Sequence, residues 1–349
     1  MKPDRSVLAA IAAAVLFGLS TPLAKTLVGS VPPLLLSGLL YAGSGLGLAL
    51  ILAGRAMTGG GQHITWPRGR DAWWLLGAIA AGGAIGPYLL MVGLQTVDGA
   101  TASLVLNLEG VLTALLAWFV FKENFDRRIA LGMGLIVAGG LVLSAGRLAP
   151  GASVAGALAI VGACLAWAID NNLTRKVSVF DAMFIACAKG LLAGTASVAL
   201  ALAGGAQLPA PAVIAQAGLL GFAGYGLSLT LFVVALRGLG TARTGAYFSL
   251  APFIGAGLAV ALGAPLTATL WLAAALMAAG VWLHLTEHHE HAHRHIAQSH
   301  AHPHSHDEHH RHEHDTGWDG VEPHSHPHRH APLTHAHAHY PDVHHRHDH

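Results

Sequence analysis

The chain has 349 residues, of which 53% are hydrophobic and only 11% charged, with a formal net charge of +1. Soluble globular chains carry about a quarter charged residues, so this composition excludes an ordinary soluble domain. Cys164 and Cys187, the only two cysteines, both fall in apolar stretches, and no disulfide framework is implied.

Taken in order, ten apolar stretches run over residues 7–28, 33–53, 72–93, 99–121, 129–146, 152–174, 182–203, 213–236, 241–262 and 267–285. Each is close to the roughly 20 residues that cross a bilayer as a helix. In lipid the backbone must satisfy its own hydrogen bonds, so these are helices; strands of a membrane barrel would show a polar residue at every second position. Lys2 and Arg5 ahead of the first stretch look like the start of a secretory signal, but removing that stretch would leave nine spans and separate the termini. Lys2, Arg5, Arg55, Arg68, Arg70, Lys122, Arg127, Arg128, Arg175, Lys176, Arg237 and Arg243 all lie on one side, against Lys25 and Arg147 on the other. By the positive-inside rule both termini are cytoplasmic, which in a bacterial cell means a multi-pass inner-membrane protein.

A charge near the bilayer centre costs at least about 2.5–3.5 kcal/mol, so ionisable residues within the spans are candidate functional groups. Lys25 lies near the outer end of the first span, where it can snorkel. Pro22 and Pro87 free backbone carbonyls inside helices. Glu109 lies about 15 Å from either face at 1.5 Å per residue, the deepest acid of the chain, with Thr113 one turn on and Asn107 beside it. It reads as a proton carrier or, alternatively, as structural glue to a neighbouring helix. Asp170 and Asn171 end the sixth span, and Lys189 lies at matching depth in the seventh. An Asp170–Lys189 pair is either an inter-helix salt bridge or an inner gate. Tyr88, Tyr225 and Tyr247 are weaker cavity candidates, polar tips on apolar bodies.

Beyond the tenth span the composition changes abruptly, and residues 288–349 hold 24 of the 26 histidines. This tail has too few aliphatics to bury a core and is expected to be disordered by itself. His300, His302, His304 and His306 form an H-x-H-P-H-x-H unit that returns as His324, His326, His328 and His330. Imidazoles at this spacing are candidate ligands for Zn, Ni, Co or Cu. Incidental affinity in a low-complexity expansion and a pH- or lipid-responsive tail are the other readings.

Sliding the chain by 142 residues brings Leu94, Ala100, Leu108, Leu116 and Ala117 onto Leu236, Ala242, Leu250, Leu258 and Ala259. Each half then holds five helices, and because five is odd the second half enters the membrane upside down. The fold expected is all-α: ten transmembrane helices as two inverted five-helix repeats, 1–148 and 149–286, plus a His-rich cytoplasmic tail, 287–349.

Phe17-Gly18-Leu19-Ser20-Thr21-Pro22, the run from Thr101 through Leu112-Thr113-Ala114-Leu115-Leu116 to Lys122-Glu123, and Leu250-Ala251-Pro252 resemble the EamA-type ten-helix branch of the drug/metabolite transporter superfamily. The resemblance covers residues 7 to 285 and implies a secondary carrier, usually an exporter of small metabolites. Two departures stand out. The family usually has Pro in this helix of both halves, whereas the first half has Glu109-Gly110; and Pro265 stands where the second half would repeat the acid Glu123.

The function expected is secondary transport of a small metabolite or drug-like solute by alternating access, with a metal-binding tail. The alternatives are a divalent metal carrier fed by the tail, and a membrane-anchored metal sensor or store. No enzyme is expected, since there is no phosphate loop and no H-E-x-x-H on a helix. No cofactor is required. The expected partners are the solute, the bilayer and divalent ions at the tail; a homodimer is compatible, and nucleic acid is not expected.

Overall fold

The computed structural model describes residues 5–57, 67–121, 127–145, 154–178, 180–285, 290–295, 298–304, 324–330 and 333–338. The helices are α1 (Arg5–Leu27), α2 (Pro33–Met57), α3 (Arg70–Ala78), α4 (Gly86–Thr96), α5 (Gly99–Val105), α6 (Leu108–Phe121), α7 (Arg127–Ala145), α8 (Val154–Val177), α9 (Ala182–Ala203), α10 (Pro211–Gly221), α11 (Ser228–Phe248), α12 (Ala251–Ala261) and α13 (Ala268–Leu285). A π-helical turn, Ile79–Ile85, joins α3 to α4, and a second, Phe222–Leu227, joins α10 to α11.

Among the described residues seven runs are long and apolar enough to cross a membrane, and shorter apolar helices fill the fifth, ninth and tenth positions. Helical backbone leads up to and away from the expected turn between the eighth and ninth spans, around Gly238 and Gly240. The chain doubles back there. The rings of Phe232 and Phe248 are 4.9 Å apart, whereas sixteen residues of straight helix would separate them by about 24 Å.

The surface carries large apolar residues. Leu50, Trp73, Phe119, Trp271 and Trp282 are each at least 63% exposed, while Ser20, Ser37, Ser44, Ser103, Asp170, Thr174 and Lys189 are buried. This is the distribution expected when the solvent is lipid.

The two halves interlock symmetrically. α2 packs on α9, α5 on α12 and α7 on α13; α1 packs on α11 and α12 as α8 packs on α4 and α6. Exchanging the first five spans with the last five maps these contacts onto one another, though not every contact follows, since α10 packs on α2 whereas α3 packs on α8. The irregularities repeat as well. Each third span contains a π turn and each fourth span a break, at Leu106–Asn107 and at Ser249–Leu250. Residue 222 follows residue 79 by 143 positions, and 249 follows 106 by 143, one more than the spacing of the sequence repeat.

Small residues bring α2 and α9 together. A Cβ on Gly190 would overlap the backbone of Gly45, so this crossing is a contact of main chain on main chain. Polar groups close the helix ends. Asp98 caps α5, accepting from the Thr101 amide at 2.9 Å, and Asp181 caps α9, accepting from Phe184 at 2.8 Å. The Lys25 ammonium donates to the Leu94 carbonyl in the last turn of α4, satisfying an otherwise orphaned acceptor at the negative end of that helix.

In the tail, β1 (Glu290–His295) pairs with β4 (Leu333–Ala338), and β2 (Gln298–His304) with β3 (His324–His330), both antiparallel. The H-x-H alternation has the two-residue period of extended backbone. A two-stranded ladder has little stability alone in water, and this segment brings few aliphatics to add to it. Lys2, Lys122, Glu123, Arg147 and His306 lie outside the described residues.

Candidate functional site

A cavity of about 460 Å³, mouth included, lies where the two halves meet. Phe17 of α1, Tyr41 of α2, Glu109 of α6, Trp167, Asp170 and Asn171 of α8, and Gly224, Tyr225, Ser228, Leu229, Phe232 and Phe248 from the second π turn and α11 line it.

Glu109 is placed by the break in the fourth span. The amides of Asn107 and Glu109 bond to the carbonyls of Leu104 and Leu106, three residues back, instead of continuing the α ladder. The helix then restarts with Glu109 in its first turn, where free amides and the helix dipole favour an acid. Asn171 donates its amide to Glu109 Oε1 at 2.8 Å and lies 3.4 Å from Thr113 Oγ1. Asn172 donates to the Thr113 carbonyl at 3.2 Å. Glu109, Thr113 and Asn171, singled out in the sequence, therefore form one group linking α6 to α8.

Asp170 and Lys189 also meet. The ammonium donates to Asp170 Oδ1 and, at 2.7 Å, to Thr174 Oγ1, whose hydroxyl donates to the same carboxyl oxygen at 2.7 Å. Lys189 is 1% exposed, so the cavity meets the aspartate and not the lysine behind it. Removing one partner of such a buried pair leaves an uncompensated charge, whereas the intact pair adds little net stability.

The first π turn supplies the next element. Its Gly82 carbonyl accepts from the Tyr41 hydroxyl at 2.7 Å and from the Trp167 indole N–H at 3.0 Å. A Cβ on Gly82 would overlap the Asp170 carboxyl, so the glycine lets the turn approach the ion pair. Phe17 is the hub of the aromatic wall. Its ring meets Trp167 and Tyr225 edge-on at 5.7 and 5.8 Å and Phe248 at 5.3 Å, and Tyr41 lies 5.2 Å from Tyr225.

The remaining expected residues lie elsewhere. Asn107 is buried and its amide turns 3.7 Å from Met277 Sδ of α13, away from the cavity. Tyr88 is 39% exposed on the outer surface. Tyr247 packs among Ala9, Ala10, Ala235 and Leu239. Tyr41, Ser228, Phe232 and Phe248 line the cavity without having been singled out. Of the histidines, His300, His302 and His304 stand opposite His328, His326 and His324 in the β2–β3 ladder, and His330 stands opposite Gln298.

The family profile described as the EamA-like transporter family matches residues 4–145 and again 154–286. A protein called an uncharacterized transporter, from Methanothermobacter thermautotrophicus, is 26% identical over 260 residues, covering 70% of this chain and 76% of its own. A probable 4-amino-4-deoxy-L-arabinose-phosphoundecaprenol flippase subunit from Pseudomonas paraeruginosa is 40% identical over 106 residues, covering 26% of this chain and 90% of its own. One solved crystal structure is similar with a TM-score of 0.62 at 21% identity, over 80% of this chain and 96% of that one, a likeness of fold. Apolar spans in two matching halves that meet at a polar and aromatic cavity define a membrane transporter. With the profile matching both halves, the chain belongs to the EamA-like transporter family.

Proposed function

We propose that the protein is a secondary carrier of the inner membrane, with both termini cytoplasmic, which exports a small solute by alternating access between its two five-helix halves. The observation that carries this reading is the cavity at the junction of the halves, with Glu109 at a helix restart on one wall. Inverted halves provide two near-equivalent states, one open to each side. Glu109 would carry the coupling proton or hold the solute. The lipid-linked sugar named for the flippase relative is a poor guide to cargo here. It carries phosphate, and no Lys or Arg among the described residues lines the cavity.

The test is flux in inverted membrane vesicles with and without an imposed proton gradient, comparing the intact chain, Glu109→Gln and a chain lacking residues 288–349. The reading expects gradient-driven solute flux in the intact and truncated chains and its loss in Glu109→Gln. Equal flux in Glu109→Gln would remove the proton role.

A second reading has its own support. The β2–β3 register sets His300, His302 and His304 opposite three further histidines, and residues two apart on a strand share a face. By its H-x-H spacing the tail would collect Zn, Ni, Co or Cu, serving a metal carrier or a store, although no group of three ligating side chains comes together among the described residues. Loss of metal-dependent flux on tail deletion would favour it.

A further inference from the structure

We infer that the cavity is built for an organic cation, an amine or quaternary ammonium group on an apolar body. This rests on the carrier reading above and names the solute class. Three observations converge.

The first is the account of hydrogen-bond donors. The Tyr41 hydroxyl and the Trp167 indole N–H are both spent on the Gly82 carbonyl. The Ser228 hydroxyl donates to the Ala13 carbonyl at 2.8 Å, and the Asn171 amide donates to Glu109. The Tyr225 hydroxyl is the donor left for an anion or a carbonyl ligand. Acceptors remain, in the second oxygen of Glu109 and the carboxyl of Asp170.

The second is charge. Among the described residues, two acids line the cavity and no basic residue does. Lys189 neutralises Asp170 from behind, which leaves Glu109 with an amide partner in place of a cation. A bound ammonium group would supply the missing charge, and a desolvated charge pair of this kind is strong only when well matched.

The third is the wall itself. Phe17, Tyr41, Trp167, Tyr225, Phe232 and Phe248 make half of the lining. With their polar tips tied to Gly82, Tyr41 and Trp167 offer the cavity their rings, and aromatic faces attract cations.

The experiment uses the full chain purified in detergent and three probes of similar shape. These are benzyltrimethylammonium, neutral benzyl methyl sulfone, and anionic benzylsulfonate, each titrated by calorimetry and then offered for exchange in proteoliposomes. The cation should bind about tenfold or more tightly than the sulfone, with the sulfonate weakest. Glu109→Gln should lose about that factor for the cation, while an unchanged thermal midpoint in detergent shows that the variant is folded. Trp167→Leu should weaken the cation more than the sulfone. Equal binding of cation and sulfone, tighter binding of the sulfonate, or no heat with any probe would each overturn the inference, and the wild-type protein alone decides among these. Exchange flux of the sulfone or sulfonate would overturn the cation class while keeping the carrier. Absence of gradient-driven flux for every solute in the vesicle assay would instead remove the carrier reading.

Discussion

The third spans of the two halves bend at the same place, and what faces each bend differs. Gly82 of the first π turn lies against Asp170, which is tied to Lys189 and Thr174; Gly224 of the second lies against Ser20, whose hydroxyl donates to its own helix at the Phe17 carbonyl, 2.6 Å away. The fourth spans differ in the same manner. Both break and restart, but Pro252 stands in the first turn of α12 and Glu109 in the first turn of α6. The backbone kept the symmetry while the charge did not. Duplication fixes helix lengths, bends and crossings, since these hold the halves together; the ionisable groups are free to diverge because only one copy of each need face the cavity.

The largest effect that would break this comparison is Asp170→Asn. It strands a buried ammonium and should cost about 3–5 kcal/mol, read as a drop in the thermal midpoint in detergent, with most of the loss returned by adding Lys189→Met. The matching change in the neutral crossing, Ser20→Ala, removes a local hydrogen bond within one helix and should cost about 0.6 kcal/mol. Next comes Gly82→Ala, whose methyl overlaps the Asp170 carboxyl. Overfilling should cost about 1–3 kcal/mol and, because the Gly82 carbonyl holds Tyr41 and Trp167, should weaken solute binding as well. Gly224→Ala should lower stability without shifting an ion pair, so the two alanines compared by melting and by binding separate crowding from charge. Glu109→Gln is close to isosteric and keeps a carbonyl oxygen for the Asn171 amide, so it should leave the thermal midpoint little changed while abolishing gradient-driven flux. The smallest effect is expected from deleting residues 288–349, which should leave the melting of the helical body unchanged while removing divalent-metal binding measured by calorimetry.

Much of this was legible beforehand. The ten spans follow from hydropathy alone, and the repeat from a slide of 142 residues. Depth counted along the helices put Asp170 level with Lys189, and they meet; the same count singled out Glu109. Tyr41, Phe232 and Phe248 were not legible. In a lipid solvent the outside of a helix is as apolar as its inside, so no amphipathic stripe tells a cavity-facing aromatic from a lipid-facing one such as Trp73. Asn107 misled for the opposite reason. It stands beside Glu109 in the sequence, but the break at Leu106–Asn107 interrupts the helical rotation and sends its amide towards Met277. Neither π turn has a residue signature beyond its glycines.

The meeting of Gly45 with Gly190 has a mechanical consequence. At that spot two rods touch through bare main chain, while the Cys187 thiol reaches the Gly45 carbonyl at 3.5 Å and Leu48 packs on Ala186 and Cys187 beside it. The crossing is therefore a close-fitting joint with little slack. A methyl added at Gly190 would act as a shim, forcing the rods apart and changing the angle between the halves before it disturbed any residue of the cavity.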